Sequence, residues 1–251
     1  MKILASDFDG TLYRNGTVSS EEKNAISKWR ALGNFFGIVT GRNYASLMED
    51  LCKFDLEYDF IISTNGSLIR DGKGNVLKSF ESDGSISREI VALIEKNDAS
   101  WAEMMYLDSC HRRLIKRRKP GSELNVNWEI LDESKTFHQI SFALYGIEKA
   151  KKLNAEINEK YFGRLSAYCI VNDDHETSNI DVVKFGVSKA HALEEYAALK
   201  GVQRENIITV GDNYNDIPMI RAFDGYIIES AADEVKLLVP KTCKNLCQLM
   251  L

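Results

Sequence analysis

The chain has 251 residues, 44% of them hydrophobic and 27% charged, with a formal charge of −5. That length allows one large domain, or a core plus a smaller unit. The acidic balance argues against nucleic acid or an anionic membrane as a partner, since both attract basic surfaces, but it leaves room for a small anionic ligand at one local site.

An acidic motif begins at Asp7, where a secretory signal would still need its apolar stretch, and no run approaches the ~20 apolar residues of a membrane helix. The five cysteines, Cys52, Cys110, Cys169, Cys243 and Cys247, are scattered and lack paired zinc-ligand spacing. Reduced thiols in a cytoplasmic protein are expected. Cys243 and Cys247, four apart, suit neighbours on a helix.

Lys2 to Ser6 read as a short buried strand stopping at Asp7-Phe8-Asp9-Gly10-Thr11. Ser19-Ser20-Glu21-Glu22 supply a cap and first-turn acids for a helix to about Ala31, which Gly33 stops. Phe35 to Val39 form a second strand that ends at Thr40-Gly41-Arg42, and a helix from Tyr44 to about Lys53 follows. Phe60 to Ser63 form a third strand, ending at the turn dipeptide Asn65-Gly66. This alternation predicts an α/β fold with a doubly wound, Rossmann-like parallel sheet. In such sheets ligands lie beyond the carboxyl ends of the strands, which is where Asp7, Thr40 and Asn65 fall.

After about Phe80 the pattern changes. Arg88 to Asn97 and Ile147 to Tyr161 read as helices, and Gln139 to Tyr145 as a strand. Leu165 to Asn172 and Asn179 to Lys184 read as antiparallel strands joined by Asp173-Asp174-His175-Glu176. We expect an inserted α+β domain at 82–184 between core segments 1–81 and 185–251. From Gly186 the alternation returns: a helix from Lys189 to Lys200 capped by Ser188 and Gly201, a strand from Asn206 to Val210 ending at Gly211-Asp212, a helix from Asp216 to Ala222, and a strand from Gly225 to Glu229.

Cleaving a phosphate ester needs a nucleophile, a proton donor and positive charge around the transferring oxygens. Asp7 and Asp9 place two carboxylates at one strand end, and one would hold a proton unless a cation intervened. Mg²⁺ suits such a place, and Asp212 can complete the metal site. Gly10 lets the backbone approach closely and Thr11 supports the turn. Thr40 offers a hydroxyl, Gly41 an N–H and Lys189 a compact charge. Taken singly, Asp9-Gly10 is a common turn, Lys189 an ordinary helix residue, and Thr40-Gly41-Arg42 equally a helix entry. The four fixed residues of Asp-x-Asp-Gly-Thr occur together by chance on the order of 10⁻⁵ per position, and the ordered set is rarer still.

These segments, Asp7-Phe8-Asp9-Gly10-Thr11, Thr40-Gly41-Arg42, Lys189 and Gly211-Asp212-Asn213-Tyr214-Asn215-Asp216, resemble the four ordered motifs of the haloacid dehalogenase-like hydrolases. The position and length of the insertion resemble the Cof-type, or IIB, branch. Two departures are Ala190, where a glycine commonly follows the motif lysine, and Glu229-Ser230-Ala231-Ala232 in place of a Gly-Asn-Ala stretch.

The resemblance implies a Mg²⁺-dependent phosphatase of small phosphorylated metabolites, sugar phosphates in particular. Asp7 would form an aspartyl-phosphate, and Asp9 would protonate the leaving alcohol and then deprotonate water. The Asp7 carboxylate, the Asp9 backbone carbonyl and Asp212 would hold the metal, with Asp216 in or just behind its shell. Asn215, Thr40, Gly41 and Lys189 would hold the phosphoryl group, and the insertion would be a cap that covers the site and selects substrates. The alternatives are a phosphomutase of the same family and a non-catalytic phosphometabolite-binding protein.

The basic stretch His111-Arg112-Arg113 and Lys116-Arg117-Arg118-Lys119 reads as a solvated strand, or as a grip on a second anionic group. His111, His138, His175 and His191 show no ligand spacing. Trp101 and Trp128 read as packing residues. The sequence leaves the oligomeric state open.

Overall fold

A computed structural model describes residues 1–106, 111–116, 118–119, 122–172, 174 and 176–250. Cys110, Arg117, Asp173 and His175 lie outside the described residues, as do the side chains of His111 and Arg112. The chain forms two units, Met1–Ser79 with Ser188–Leu251, and Phe80–Val187. The inserted unit thus begins at Phe80 rather than 82 and ends at Val187 rather than 184. At one end a backbone bridge ties Ser82 to Phe137; at the other, the Phe185 N–H donates to the Arg164 carbonyl at 3.0 Å and the Tyr168 hydroxyl to the Val187 carbonyl at 2.5 Å.

The first core segment contains β1 (Ile3–Ser6), α1 (Ser20–Ala31), β2 (Phe35–Val39), α2 (Tyr44–Leu51), β3 (Phe60–Ser63), β4 (Leu68–Asp71) and β5 (Val76–Ser79). The Ser19 hydroxyl caps α1 by accepting from the Glu22 N–H. The insertion contains α3 (Ser87–Lys96), β6 (Trp101–Met105), β7 (His111–Ile115), β8 (Gln139–Tyr145), α4 (Ile147–Lys160), β9 (Leu165–Val171) and β10 (Thr177–Lys184). The core resumes with α5 (Lys189–Lys200), β11 (Ile207–Gly211), α6 (Ile217–Ala222), β12 (Tyr226–Ile228), α7 (Asp233–Lys236) and β13 (Thr242–Cys243).

Among the described residues the core sheet has eight strands in the order β13-β12-β11-β1-β2-β3-β4-β5. The run from β13 to β3 is parallel, and the β4–β5 hairpin adds an antiparallel edge. The expected α/β core with a parallel sheet is therefore present. Adjacent parallel strands bring their carboxyl ends to one side, so the loops after β11, β1, β2 and β3 are neighbours. Cys243 ends a strand and Cys247 lies in a short 3₁₀ turn. Their spacing of four does not place them on one helix, because the chain bends between them at Lys244 and Asn245.

The inserted unit carries a five-stranded antiparallel sheet in the order β7-β6-β8-β10-β9. Ile90, Val91 and Ile94 of α3 and Ala150, Leu153 and Ile157 of α4 pack with Ile140, Phe142 and Ile180 in one core. The basic stretch enters this sheet through β7, where Leu114 and Ile115 are buried while Arg113 and Lys116 are exposed. Arg118 has a structural role: it donates to the carbonyls of Ala99 and Ser122 and pairs with Asp98. His138 is buried with Nε2 3.9 Å from a Glu81 carboxylate oxygen, and Trp128 packs against the unit's core.

One contact sets the spacing between β2 and β3. A methyl group added at Gly37 would fall 2.2 Å from the Phe60 ring, which itself stacks on Tyr196 of α5 with centroids 3.8 Å apart. Backbone and aromatic ring occupy the space that a side chain would need. Gly37→Ala is expected to lower stability by about 1–3 kcal/mol through overpacking, read as a lower midpoint in urea with an unchanged denaturant slope.

Candidate active site

Asp7 follows β1 directly. Its N–H donates to the Val210 carbonyl of β11 at 2.9 Å, so the backbone that presents the carboxylate is held by the sheet. Lys189 is the first residue of α5, whose N-cap Ser188 hydroxyl accepts from the His191 N–H. The Lys189 ammonium donates to Asp7 Oδ1 and Asp216 Oδ1, both at 2.6 Å, and the side chain is only 1% exposed.

The other oxygen of Asp216 accepts from the backbone N–H groups of Asp212, at 3.1 Å, and Asn213, at 3.0 Å. Asp216 thereby fixes the loop that displays Asp212. Asp212 Oδ1 accepts from the Thr11 hydroxyl at 2.8 Å. Two glycines make these approaches possible. A Cβ on Gly10, whose φ is +77°, would fall 2.4 Å from Asp212 Oδ2, and one on Gly211 would fall 2.4 Å from the Asp216 Cβ.

Carboxylate oxygens of Asp7, Asp212 and Asp216 lie within 4.8 Å of one another. Burial pushes the Asp7 carboxyl well above its ordinary range; the Lys189 charge pulls against this, while Asp216, Asp212 and Asp9 add to it. Burial, followed by the charge of Asp216, raises Asp212 to about 7. Burial disfavours the Lys189 ammonium, yet Asp216 and Asp7 outweigh it and raise its pKa. Three carboxylates thus share one ammonium in a dry place, and together they are over-supplied with negative charge. A hard divalent cation with oxygen ligands fits this donor set, because it would let all three ionise together.

The Asp9 carboxylate stands outside this group. Arg42 grips it with two bonds, Nε to Oδ2 at 2.7 Å and a terminal nitrogen to Oδ1 at 2.5 Å. The other terminal nitrogen of Arg42 donates to Asp50 at 2.7 Å, and Asp50 also accepts from Lys53 at 2.6 Å. Beneath the guanidinium, Phe8 and Tyr13 stack with centroids 5.0 Å apart, and the Arg42 carbon lies 5.4 Å from the Phe8 ring centre.

Thr40 is buried at the end of β2, its hydroxyl accepting from the Arg42 N–H at 3.1 Å. Gly41 lies between them. The Asn215 side-chain amide donates to Asn65 Oδ1 at 3.1 Å, which joins the loop after β11 to the loop after β3. His191 is half-exposed, with Nε2 3.8 Å from Glu195. Arg42 and Asn65 are polar side chains at this end of the sheet to which the sequence assigned no specific role. Each stood beside a signal: Arg42 ends the Thr-Gly-Arg motif, and Asn65 follows a strand.

A model of the haloacid dehalogenase-like hydrolase family matches residues 4–248. Among curated proteins, a 5-amino-6-(5-phospho-D-ribitylamino)uracil phosphatase of Bacillus subtilis (strain 168) is 28% identical over 244 residues, spanning 94% of this chain and 87% of its own. A pyridoxal phosphate phosphatase of Escherichia coli (strain K12) is 24% identical over 263 residues, spanning 94% of this chain and 90% of its own. Among solved structures, a haloacid dehalogenase-like hydrolase from B. subtilis aligns with a TM-score of 0.84 at 20% identity, over 100% of this chain and 99% of that one.

The crowded carboxylates predict how chelation and pH act together. With divalent ions removed, the folded protein keeps a proton on Asp212 up to about pH 7, whereas the unfolded chain releases it near the ordinary carboxyl value of about 4. Between those two values the folded state binds more protons, so the contribution of Asp212 to stability falls as pH rises and levels off above about 7. Thermal midpoints in excess Mg²⁺, compared with those in chelator, should therefore show Mg²⁺ stabilising the protein more at pH 8 than at pH 5.

Proposed function

The chain is a Cof-type phosphatase belonging to the haloacid dehalogenase-like hydrolases, and we propose that it hydrolyses small phosphorylated metabolites, sugar phosphates in particular, with Mg²⁺ and through an aspartyl-phosphate on Asp7. The observation that carries this reading is the Lys189 ammonium at 2.6 Å from both Asp7 and Asp216. Buried positive charge favours the ionised form of a nucleophilic carboxylate against the cost of its burial and stands where phosphoryl oxygens gather negative charge. The two curated relatives named above are phosphatases of small phosphorylated molecules, which supports the same substrate range.

In the first half-reaction an Asp7 oxygen bonds to phosphorus as the bond to the leaving oxygen breaks, and Asp9 gives that oxygen its proton. In the second, Asp9 takes a proton from water, the water oxygen bonds to phosphorus, and the Asp7–phosphorus bond breaks to release phosphate. Thr40, Gly41, Asn215 and Lys189 hold the phosphoryl oxygens throughout. The carboxylates of Asp7 and Asp212 and the Asp9 carbonyl would hold Mg²⁺, which supplies further positive charge against those oxygens when bound; Asp216 orients Asp212 from behind. Arg42 acts through Asp9 by fixing the direction of its carboxylate. A cytoplasmic location suits this substrate range, and no helix among the described residues is long and apolar enough to cross a membrane.

Asp7→Asn keeps the shape and removes the nucleophile. It should cut Mg²⁺-dependent phosphate release by at least about a thousandfold; retention of wild-type turnover would overturn the covalent route. Hexose 1-phosphate with a trace of hexose bisphosphate separates hydrolysis from mutase chemistry, since hydrolysis releases phosphate and a mutase isomerises without net release.

Arg42→Met tests the grip on Asp9. An alkyl phosphate needs its leaving oxygen protonated and p-nitrophenyl phosphate does not, so kcat for the alkyl ester should fall by about ten- to a hundredfold more than kcat for the aryl ester. Equal losses on both would assign Arg42 a purely structural role.

A further inference from the structure

The turn that follows β3 has a backbone its sequence does not favour. Thr64 and Asn65, neither of them glycine, have consecutive φ values of +50° and +51°. Asparagine tolerates this left-handed region, but a β-branched threonine there is a genuine outlier. Both residues are buried, at 3% and 1% exposure. Such conformations persist only where the surroundings over-determine them, and they cluster at functional sites.

The surroundings here are the loops of the phosphoryl site. The Thr64 N–H donates to the Arg42 carbonyl at 2.8 Å, and the Asn65 N–H donates to the Thr40 carbonyl at 3.1 Å. The left-handed pair thus aims two successive N–H groups at the two ends of Thr40-Gly41-Arg42. The Asn65 side-chain oxygen accepts from Asn215 at 3.1 Å. At Gly66 the backbone lies so close to α5 that an added Cβ would fall 2.3 Å from the Ser188 carbonyl, one residue before Lys189. Three consecutive residues therefore touch the Thr40 loop, the Asn215 loop and the start of the lysine helix. The Thr64 hydroxyl is buried without a hydrogen-bond partner, so the side chain gains nothing that explains its conformation; the backbone contacts do.

We propose that the Thr64-Asn65-Gly66 turn is the clamp that sets the spacing of the phosphoryl-binding loops, with Asn65 as a positioning residue acting through Asn215. Asn65 contributes twice. Its backbone adopts the left-handed geometry that reaches Thr40, and its amide oxygen fixes the rotation of the Asn215 amide. One Asn215 N–H is spent on Asn65, which leaves the second in a defined direction for a phosphoryl oxygen. The inference rests on the phosphatase reading and adds to it a part of the chain outside the four motifs.

The test uses the full chain with Mg²⁺ and three variants, with p-nitrophenyl phosphate as substrate and inorganic phosphate as inhibitor. Asn65→Gly keeps the backbone freedom and deletes the amide. It should lower kcat/KM about tenfold, the worth of one good hydrogen bond, and weaken phosphate inhibition by a similar factor, with the thermal midpoint held. Asn65→Asp keeps both the conformation and the acceptor oxygen while adding a negative charge. It should raise KM, because the added charge repels an anionic substrate, and lose less kcat than Asn65→Gly does, because the Asn215 amide keeps its acceptor. In an Asn215→Ala background, Asn65→Gly should cost no more than about twofold, because the residue it acts through is gone.

Wild-type kcat/KM and phosphate inhibition in Asn65→Gly would overturn the clamp, as would equal kcat losses for glycine and aspartate, or multiplying losses in the double variant. A wild-type chain that releases no phosphate from any ester would overturn the phosphatase reading itself, and the clamp with it.

Discussion

The arrangement at the strand ends depends on one buried ammonium. Lys189 stands 2.6 Å from Asp7 and from Asp216 and has almost no contact with solvent. Removing the ammonium would leave two crowded carboxylates without a partner in a place that solvates them poorly. The three side chains come from the end of β1, the start of α5 and the turn after β11, segments far apart in sequence. The parallel order β11-β1-β2 brings the strand ends together, and the Ser188 cap sets where the helix, and therefore the lysine, begins. The fold delivers the charges, and the charges restrict which loop conformations the fold can keep.

Close backbone approach is the second requirement, and it explains why glycine stands beside aspartate twice. At Gly10 and Gly211 a side chain would overlap the carboxylates of Asp212 and Asp216. Lengthening either gap would cost the Thr11–Asp212 bond or the two N–H bonds to Asp216. Asp216 is the economical member of the set: one of its oxygens meets the ammonium and the other organises the loop bearing Asp212. A carboxylate used in this way is committed on both sides, which separates its role from that of Asp212, whose second oxygen accepts no bond from Thr11.

Much of this was legible in the sequence because it is local. Short apolar runs ending in loops that carry Gly, Asp or Asn marked β1, β2, β3 and β11, and capping residues marked α1 and α5. The placement of Asp7, Asp212, Asp216 and Lys189 in one cluster follows from those elements and from strand order. The hairpin β4–β5 was not legible, because β5 is largely exposed and shows no apolar alternation. β6, Trp101–Met105, was not legible either, whereas the basic stretch that holds β7 was read as a solvated strand; what the sequence did not show is that the two pair. Nor could the bonds Arg42–Asp9 and Asn215–Asn65 be read, since they join residues 33 and 150 positions apart. The Thr64 conformation runs against its residue type, so no propensity argument could have found it.

The two cations of the site are of different kinds, and each suits its place. Lysine offers a compact charge with tetrahedral donors, which lets one nitrogen bond carboxylates arriving from two directions while a third hydrogen remains. Arginine offers a planar fork, and Arg42 uses one edge on Asp9 and a further nitrogen on Asp50. A lysine at 42 could hold Asp9 at a point but could not fix the plane of its carboxylate. An arginine at 189 would bring a broad guanidinium into a space sized for a single nitrogen. Under the proposed mechanism a nucleophile at Asp7 would need charge without bulk, because a phosphoryl group would share its surroundings. A proton-transferring carboxylate at Asp9 would need direction, because its oxygen would meet the leaving group at hydrogen-bond distance. The choice of Lys189 beside Asp7 and Arg42 beside Asp9 follows that division of requirements.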